Sequence, residues 1–290
     1  MQVSEHIHAL RIPFNISVAP EKLIERVVYL YIILGDKITL IDSGVMGSET
    51  MIFDYIRKNG RDPKEISMVI LSHSHPDHIG SVKAIKKATK CTIAAHSGEK
   101  AWIEDTEKQL KERPVLGFHT LVGGSVTVDR LLSDGEIVNL GEEIRCKVMY
   151  TPGHSRGSIT LFFDNEKTII TGDSLPLPND MPIYEDIVAS VNSIRKLKKI
   201  KGIETLLSSW EAPIQGYERI EKRIGDGFLY LCRIHETVLR ARSQGKEDLM
   251  ELCRYVVNEM GLPPFAANPL VARAFASNLA ATENKDLFVE

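Results

Sequence analysis

The first two thirds of the chain alternate short apolar runs with segments whose apolar residues recur at helical spacing. The apolar runs predict strands, and they cover 27–34, 37–41, 68–71, 91–95, 144–150, 158–163, 168–171 and 204–207. A further strand near the N-terminus is expected to carry His6 and His8. The segments between the strands predict helices over 48–57, from residue 79 onward, over 99–112 and over 187–199. This alternation predicts an α/β fold.

The pattern changes after Pro213, where helical spacing continues and the sequence predicts no further strand. Apolar periodicity predicts helices over 217–242, 246–260 and 269–281. Gly261 suits the end of the second of these helices, and Asn268 followed by proline suits the start of the third. We therefore predict two regions, an α/β domain over 1–213 and a helical region over 214–290.

Composition and charge narrow the range of partners. The 290 residues include 36 lysines and arginines and 39 aspartates and glutamates, a net charge of −3, which gives no global attraction for nucleic acid. The longest apolar run, 27–34, is far shorter than the roughly 18 residues that cross a bilayer. The first ten residues do not resemble a secretory signal, and the four cysteines form no C-x-x-C pair, which predicts reduced thiols. We expect a cytoplasmic protein that acts on a small molecule, with no nucleic-acid or membrane partner; the oligomeric state stays open.

The segment after the predicted strand 68–71 is dense in metal-binding side chains. His73 and His75 point the same way on an extended chain, because side chains alternate there, and Pro76 keeps His75 extended. Asp77 and His78 begin a helix, so their side chains leave at another angle. Such a loop can offer imidazoles to one cation and a carboxylate with an imidazole to a second. Zinc accepts these ligands in catalytic sites, as do iron and manganese, and the segment therefore predicts a metal site.

Four segments of the chain, taken together, resemble the signature of the metallo-β-lactamase superfamily. Residues 73–78 carry His-x-His-x-Asp-His, and residues 41–44 carry an earlier Asp-x-Gly at the end of a predicted strand. Residues 151–155 resemble the next histidine motif, and residues 171–173 end in the expected aspartate. The resemblance extends over about residues 6–213. It implies a four-layer αββα sandwich with a metal site at the edge between two β-sheets, followed here by an all-helical extension.

The resemblance also implies a role for each motif residue. A first metal ion would be held by three histidines, and a second by an aspartate and a histidine, with another aspartate bridging both ions. The two ions would be zinc, or alternatively iron or manganese. The first ion would be held by His73, His75 and His154, and the second by Asp77 and His78. Asp173 would bridge the two ions, and Asp42 would support the loop.

One departure from the family pattern concerns the second ion. The family usually closes with a strand that ends in a histidine ligand, whereas Trp210 stands at this position here. An indole donates one hydrogen bond and cannot bind a metal ion. Three outcomes are open: an additional water, a substitute ligand, or an empty second site. The candidate substitutes are Glu211, which is adjacent, and His235, which lies in the helical region.

Residues 153–157 also fit G-x-S-x-G, the nucleophile elbow of serine hydrolases. That elbow requires a strand, a sharp turn and then a helix, but a strand is predicted over 158–163. Ser155 is therefore not expected to be a nucleophile, and His154 as a metal ligand explains the segment better.

A metal ion with an open position lowers the pKa of bound water toward about 7. We expect the resulting hydroxide to attack the carbonyl of an ester, thioester or lactone, with Asp77 and Asp173 offsetting the cations and orienting it. The helical region resembles, in position and class only, the C-terminal helices of hydroxyacylglutathione hydrolases. Two alternatives remain: a persulfide-dioxygenase-like enzyme with one iron on His73, His154 and Asp173, and a non-catalytic effector that binds a ligand on the same fold.

Overall fold

The computed structural model describes residues 1–19, 22–141, 143–283 and 286–289. Its strands form two six-stranded sheets, and in each sheet consecutive strands of the chain are neighbours. The first sheet contains β1 (Ile7–Ala19), β2 (Lys22–Leu34), β3 (Ile38–Ile41), β4 (Ile66–Ile70), β5 (Thr92–His96) and β6 (Arg130–Leu132). The second sheet contains β7 (Ile137–Asn139), β8 (Arg145–Tyr150), β9 (Ile159–Phe163), β10 (Thr168–Ile170), β11 (Thr205–Leu207) and β12 (Ile214–Gln215).

Both sheets are mixed. In the first, β1, β2 and β3 pair antiparallel, and β3 to β6 run parallel. In the second, β7 to β10 pair antiparallel, β10 and β11 run parallel, and β12 is antiparallel to β11. The parallel strands β3 and β4 end side by side, which brings the loops that follow them to one edge of the sheet.

Alternation along the strands builds the layers. On β2, Tyr31 and Ile33 pack against residues of the second sheet, whereas Leu30 and Ile32 pack against helices on the other face. On β10, Ile170 likewise faces the first sheet, and its neighbour in the chain packs against helices. The two sheets therefore share one apolar interface, and each buries its outer face under helices.

Ten α-helices and two short 3₁₀ helices cover these outer faces in the described part of the chain. Over the first sheet lie α1 (Ser48–Lys58), α2 (Pro76–Ile79), α3 (Val82–Thr89), α4 (Ser97–Glu104), α5 (Thr106–Glu112) and α6 (Phe118–Leu121). Over the second lie α7 (Ile187–Lys198), α8 (Tyr217–Ser243), α9 (Leu249–Glu259) and α10 (Pro269–Ala280). The 3₁₀ helices are Pro63–Glu65 and Pro264–Ala266. The predicted four-layer αββα sandwich with C-terminal helices is confirmed.

Several details differ from the sequence-based expectations. The single helix expected over 99–112 is two helices, because Asp105 leaves helical geometry and its carboxylate caps α5 by accepting from the Lys108 amide. The prediction that no strand follows Pro213 is wrong, since Ile214 and Gln215 pair with β11. That strand is too short to give an apolar pattern, and the same holds for the three-residue strands β6 and β7, which were not predicted.

The helices after β12 share one hydrophobic cluster with α7 and the outer face of the second sheet. Ile169 and Leu206 from the sheet belong to it together with Ile220, Val256 and Phe275 from α8, α9 and α10. Within the described residues, none of the helices is both long and apolar enough to cross a membrane. The four cysteines are unpaired, and three of them are buried, as expected for reduced thiols.

Candidate metal centre

The loop between β4 and α2 holds the histidine-rich segment in a fixed shape. His75 is extended (φ −65°, ψ 154°) and precedes Pro76, the first residue of α2, as the sequence pattern predicts. Asp42, at the end of β3, accepts hydrogen bonds from the Ser72 amide and hydroxyl, both at 2.7 Å. Its Oδ2 also lies 2.9 Å from Nδ1 of His78. These bonds direct His78 Nε2 away from Asp42, and Asp42 thus orients the loop.

His154 and Asp173 reach the same place from the second sheet. The Nδ1 of His154 donates to the carbonyl of Ile183 at 2.8 Å, which leaves Nε2 as the acceptor nitrogen. The preceding Gly153 has φ +130°, and a Cβ there would lie 2.3 Å from the Ser190 amide nitrogen, so a side chain is excluded. Asp173 follows β10 and is almost fully buried.

Two groups of side chains offer atoms that lie within 4.8 Å of one another. The first group, called here the imidazole side, consists of His73, His75 and His154; Nε2 of His154 lies 2.8 Å from Nδ1 of His75. The second group consists of His73, His78 and Asp173. The carboxylate side is the name used here for His78 and Asp173 together with Asp77, because Nε2 of His78 lies 3.4 Å from Asp77 and 3.3 Å from Asp173. His73 also reaches the carboxylate side, because it groups with His78 and Asp173.

Several of these buried atoms have no hydrogen-bond partner among the described residues. They are His73 Nε2, His75 Nε2, His78 Nε2 and Asp173 Oδ1. A buried polar atom without a partner is costly in free energy. Three of them, on His73, His78 and Asp173, belong to one group of converging donors. The residues therefore fit a bound metal ion, which would accept the lone pairs of His73 and Asp173, and that of His78 once its proton is released.

The imidazole side is electrically neutral. Burial, and secondarily the nearby cations, lowers the pKa of His73 and of His75 well below the ordinary value of 6.5. Burial also lowers the pKa of His154. All three rings are therefore uncharged near neutral pH, and the uncharged ring is the form that binds a metal ion.

The carboxylate side is charged. Burial by itself would lower the pKa of His78, but the surrounding carboxylates, Asp173 foremost, outweigh it and raise that pKa well above 6.5. Burial would raise the pKa of Asp173, but the adjacent rings of His78 and His154 outweigh it and hold that pKa well below 3.8. A cation bound here would take the place of the His78 proton as the partner of the carboxylates.

Glu99, at the start of α4, connects the two loops that carry the imidazole side. Its carboxylate accepts hydrogen bonds from the Ser74 amide at 3.0 Å and from the Ser74 hydroxyl. It also accepts from the Ser155 hydroxyl and from the Gly157 amide at 2.5 Å. The bonded Ser155 is not available as a nucleophile, in agreement with the sequence. The sequence gives no sign of this role, because an acidic residue in a first helical turn is common at the surface.

Trp210 lies against the carboxylate side. Its indole Nε1 donates to Asp173 Oδ2 at 2.8 Å, while the guanidinium of Arg26 stacks over its ring at 4.6 Å. The indole therefore fixes the carboxylate that the family pattern assigns as the bridge.

Neither candidate substitute ligand joins the converging groups found in the described part of the chain. Glu211 accepts from Arg223 Nε at 2.6 Å and from the Ser208 hydroxyl at 3.1 Å. His235 is buried in the helical layer, where its Nδ1 lies 3.1 Å from Asn278 Oδ1. The local partners of both residues account for their positions without a metal ion.

A cleft of about 240 Å³ opens onto the two sides. Asp77, His154, Asp173 and Trp210 form part of its lining. Its other walls are mainly apolar and come from both regions of the chain; they include Phe14, Val115, Leu175, Met181, Phe265 and Leu270. A substrate in this cleft would present an apolar portion to the walls and its reacting group to the metal-binding side chains.

Known proteins resemble the chain in sequence and in fold. It is 29% identical over 176 residues to a probable metallo-hydrolase of Methanocaldococcus jannaschii, covering 59% of this chain and 79% of that one. It is 27% identical over 163 residues to an acyl-coenzyme A thioesterase of Gallus gallus, covering 50% of this chain and 56% of that one. A metallo-beta-lactamase family protein from Thermus thermophilus shares the fold, with a TM-score of 0.73 at 17% identity over 96% of this chain and 94% of that one.

The sequence also matches the profile of the Metallo-beta-lactamase superfamily over residues 24–207, well over half of the chain. This range contains Asp42 and all the residues of the imidazole and carboxylate sides. The chain therefore belongs to the metallo-β-lactamase superfamily.

Proposed function

We propose that the protein is a metal-dependent hydrolase of an ester, thioester or lactone bond in a small molecule. The observation that carries the proposal is the convergence of buried, unpartnered ring nitrogens and a carboxylate oxygen at the wall of an apolar cleft. Groups with unmet bonding capacity at a concave apolar surface are typical of active sites.

Each side of the centre would hold one ion. On the imidazole side, His73, His75 and His154 offer three neutral rings, the donor set of many catalytic zinc sites. On the carboxylate side, Asp77 and Asp173 add negative charge, which also suits iron or manganese. We favour zinc for the imidazole side because all three of its donors are nitrogens.

A bound divalent cation makes water acidic and polarises a carbonyl oxygen. Asp77 is placed to hold the proton that the attacking water loses, because it lines the cleft and its carboxylate is partly accessible. Asp173 keeps one orientation because Trp210 donates to its Oδ2. His154 is held through its bond to the Ile183 carbonyl. The chain thus supplies a proton acceptor and fixed ligands beside the substrate.

The cleft favours an acyl substrate with an apolar portion. Its walls combine residues of the N-terminal strands, such as Phe14, with Phe265 and Leu270 from the helical region. The relative from Gallus gallus is an acyl-coenzyme A thioesterase. A thioester or an activated ester with an apolar acyl chain is therefore the first substrate to try.

The test compares metal content and hydrolysis in His75→Ala and in His119→Ala. His119 is exposed and lies outside the converging groups of the described residues, so it is the matched control. We expect His75→Ala to lose metal and to hydrolyse acyl thioesters and p-nitrophenyl esters no faster than buffer does, while His119→Ala keeps both properties. Full metal content in His75→Ala would refute the site. Bound metal in the parent protein with no turnover of any ester, thioester or lactone would favour the non-catalytic effector instead.

One observation favours a second candidate. His154 Nε2 lies 3.3 Å, and His73 Nε2 4.0 Å, from Asp173 Oδ2, and two histidines with one carboxylate form the ligand set of many non-haem iron enzymes. Trp210 stands where the family pattern has the last ligand of a second ion. A single iron per chain, together with oxygen consumption in the presence of a persulfide, would select this persulfide-dioxygenase-like reaction over hydrolysis.

A further inference from the structure

Arg113, which directly follows α5, is a buried cation at the candidate centre. Its exposed fraction is 7%, and its side chain forms no hydrogen bond or ion pair with any described residue. It lines the apolar cleft and also a second, more polar cleft. His154 lines both clefts as well. Arg113 therefore stands beside a metal-binding histidine, at the junction of an apolar and a polar space.

The other guanidinium groups around the clefts have partners. Arg26 forms two hydrogen bonds to Asp180, the shorter at 2.5 Å. Arg156 lies 3.5 Å from Glu185 and stacks over a tryptophan ring. Arg273, in the polar cleft, donates at 2.7 Å to a main-chain carbonyl at the end of α5. Arg113 differs from these three because its donors are directed at no acceptor of the described chain.

The carboxylates near Arg113 attract it but form no ion pair with it. Asp77, Asp173 and Glu185 attract it, but none of them lies within ion-pair distance. Burial, reinforced by the repulsion of Arg273, lowers the pKa of Arg113 to about 10, so the group remains charged at neutral pH. Cations held by Asp77 and Asp173 would cancel the attraction of these two carboxylates. Because the guanidinium borders both clefts and donates to no acceptor of the described chain, it can bind an anion that enters from outside.

We infer that Arg113 binds an anionic oxygen group of the substrate, a carboxylate or a phosphate, in the polar cleft. The apolar portion of the same molecule lies in the apolar cleft, and its reacting carbonyl lies between them, at His154. A guanidinium presents a planar fork of N–H donors that matches the oxygens of either anion. This inference rests on the proposed hydrolase activity and names its substrate class as an acyl compound with an anionic end.

The test uses pairs of esters that differ only in charge. Mono-p-nitrophenyl glutarate carries a terminal carboxylate where p-nitrophenyl pentanoate carries a methyl group, and a phosphonate analogue of the same length separates the two anions. We expect the parent protein to prefer an anionic ester. We expect Arg113→Gln to raise KM for it by about tenfold to a hundredfold, the effect of losing a hydrogen bond to a charged group, and to raise KM for the pentanoate ester less. Arg113→Lys should recover part of the loss, and Arg57→Gln, which changes an exposed arginine paired with Asp54 and outside the lining of both clefts, is the matched control.

Each result has one meaning. Equal rates for the anionic and neutral esters in the parent protein overturn the inference, and this comparison needs no variant that folds. Equal losses on both esters in Arg113→Gln also overturn it, because they indicate a structural role. If no ester is hydrolysed, the proposed function fails, and calorimetric titration with glutarate and with inorganic phosphate decides the inference separately. Binding of either anion that is lost in Arg113→Gln supports it, and equal binding, or none to the parent protein, overturns it.

Discussion

The two sides of the candidate centre share His73 but differ in charge and in support. The imidazole side has three neutral rings, and Glu99 ties together the two loops that carry His75 and His154. The carboxylate side has two acidic ligands beside one charged ring, and Trp210 stands against it. A neutral nitrogen set binds zinc through lone pairs that no proton occupies, whereas the carboxylate side first has to release the proton of His78.

One family signature can therefore carry two groups of side chains that differ in charge and in support. On the imidazole side, Nδ1 of His73 lies 3.0 Å from the Ser72 hydroxyl, and Nδ1 of His154 donates to the Ile183 carbonyl. The carboxylate side has an indole at the place of its last ligand, and this indole donates to Asp173 Oδ2, which reduces the capacity of that oxygen to bind a metal ion. We therefore expect the imidazole side to fill at lower free metal concentration than the carboxylate side.

Substitution of His73, the residue common to both converging groups, should cause the greatest loss of metal and activity. His73→Ala should reduce metal content on both sides and bring hydrolysis to the rate of buffer alone, because both ions lose a ligand. Elemental analysis and ester hydrolysis measure these effects. His75→Ala and His78→Ala separate the two sides, since each should weaken metal binding only on its own side. Equal metal content in His73→Ala and in the parent protein would contradict the shared role.

Glu99→Gln should produce the next largest effect. The substitution removes the negative charge that accepts four hydrogen bonds, so the loops that hold His75 and His154 lose their common support. Loss of a group that holds metal ligands in place through hydrogen bonds lowers metal affinity by about tenfold to a hundredfold. We expect this loss on the imidazole side in zinc titrations. Glu107→Gln, an exposed change on the next helix, is the control and should leave affinity unchanged.

Trp210→His should act on the carboxylate side alone. A histidine there offers a ring nitrogen and removes the hydrogen bond to Asp173, so affinity for the second ion should rise by at least about tenfold. Trp210→Phe keeps an aromatic ring without a donor and separates the two contributions. The metal content per chain, measured for both variants at the same free zinc concentration, gives the size of each contribution. An unchanged stoichiometry in Trp210→His would mean that another residue already completes the carboxylate side.

The smallest effect is a pH dependence of opposite sign on the two sides of the metal-free protein. The pKa of His75 is lower in the folded state than in the unfolded state. Its contribution to the free energy of unfolding is therefore present above pH 6.5 and is lost as the pH falls below that value. The pKa of His78 is higher in the folded state. Its contribution to the free energy of unfolding is therefore present below pH 6.5 and is lost as the pH rises through the folded-state pKa.

The contributions of the two histidines can be separated by urea unfolding of the variants His75→Gln and His78→Gln between pH 5 and 9. We expect His75→Gln to lose less stability than the parent protein on the acid side of this range, and His78→Gln to lose less on the alkaline side. Parallel pH profiles for the parent protein and both variants would show that the two sides do not differ in charge.

The sequence reveals those parts of the site that lie close together in the chain. His73, His75, Asp77 and His78 fall within six positions, so strand geometry and one proline suffice to predict their common direction. His154 and Asp173 have no such local pattern, and the family resemblance was needed to select them. The αββα layers were predictable from apolar alternation, except where strands of two or three residues bury too little surface to leave a pattern.

The roles of Glu99 and Arg113 cannot be predicted from the sequence. Glu99 lies 25 positions from Ser74 and 56 from Ser155, and only the packing of α4 against both loops brings these residues together. Arg113 appears in the sequence as one more charge at the end of a charged helix. It lines two clefts together with Leu270 of the C-terminal helices, far away in the chain. A role that depends on contacts distant in the chain leaves no local signal.

The most direct test of the unequal sides is calorimetric titration of zinc into metal-free protein, in parallel with Trp210→His. We predict two binding events in the parent protein, a tighter one that His75→Ala removes and a weaker one that Trp210→His tightens. Two equal sites that both variants leave unchanged, or no binding to a protein that circular dichroism shows to be folded, would contradict this prediction.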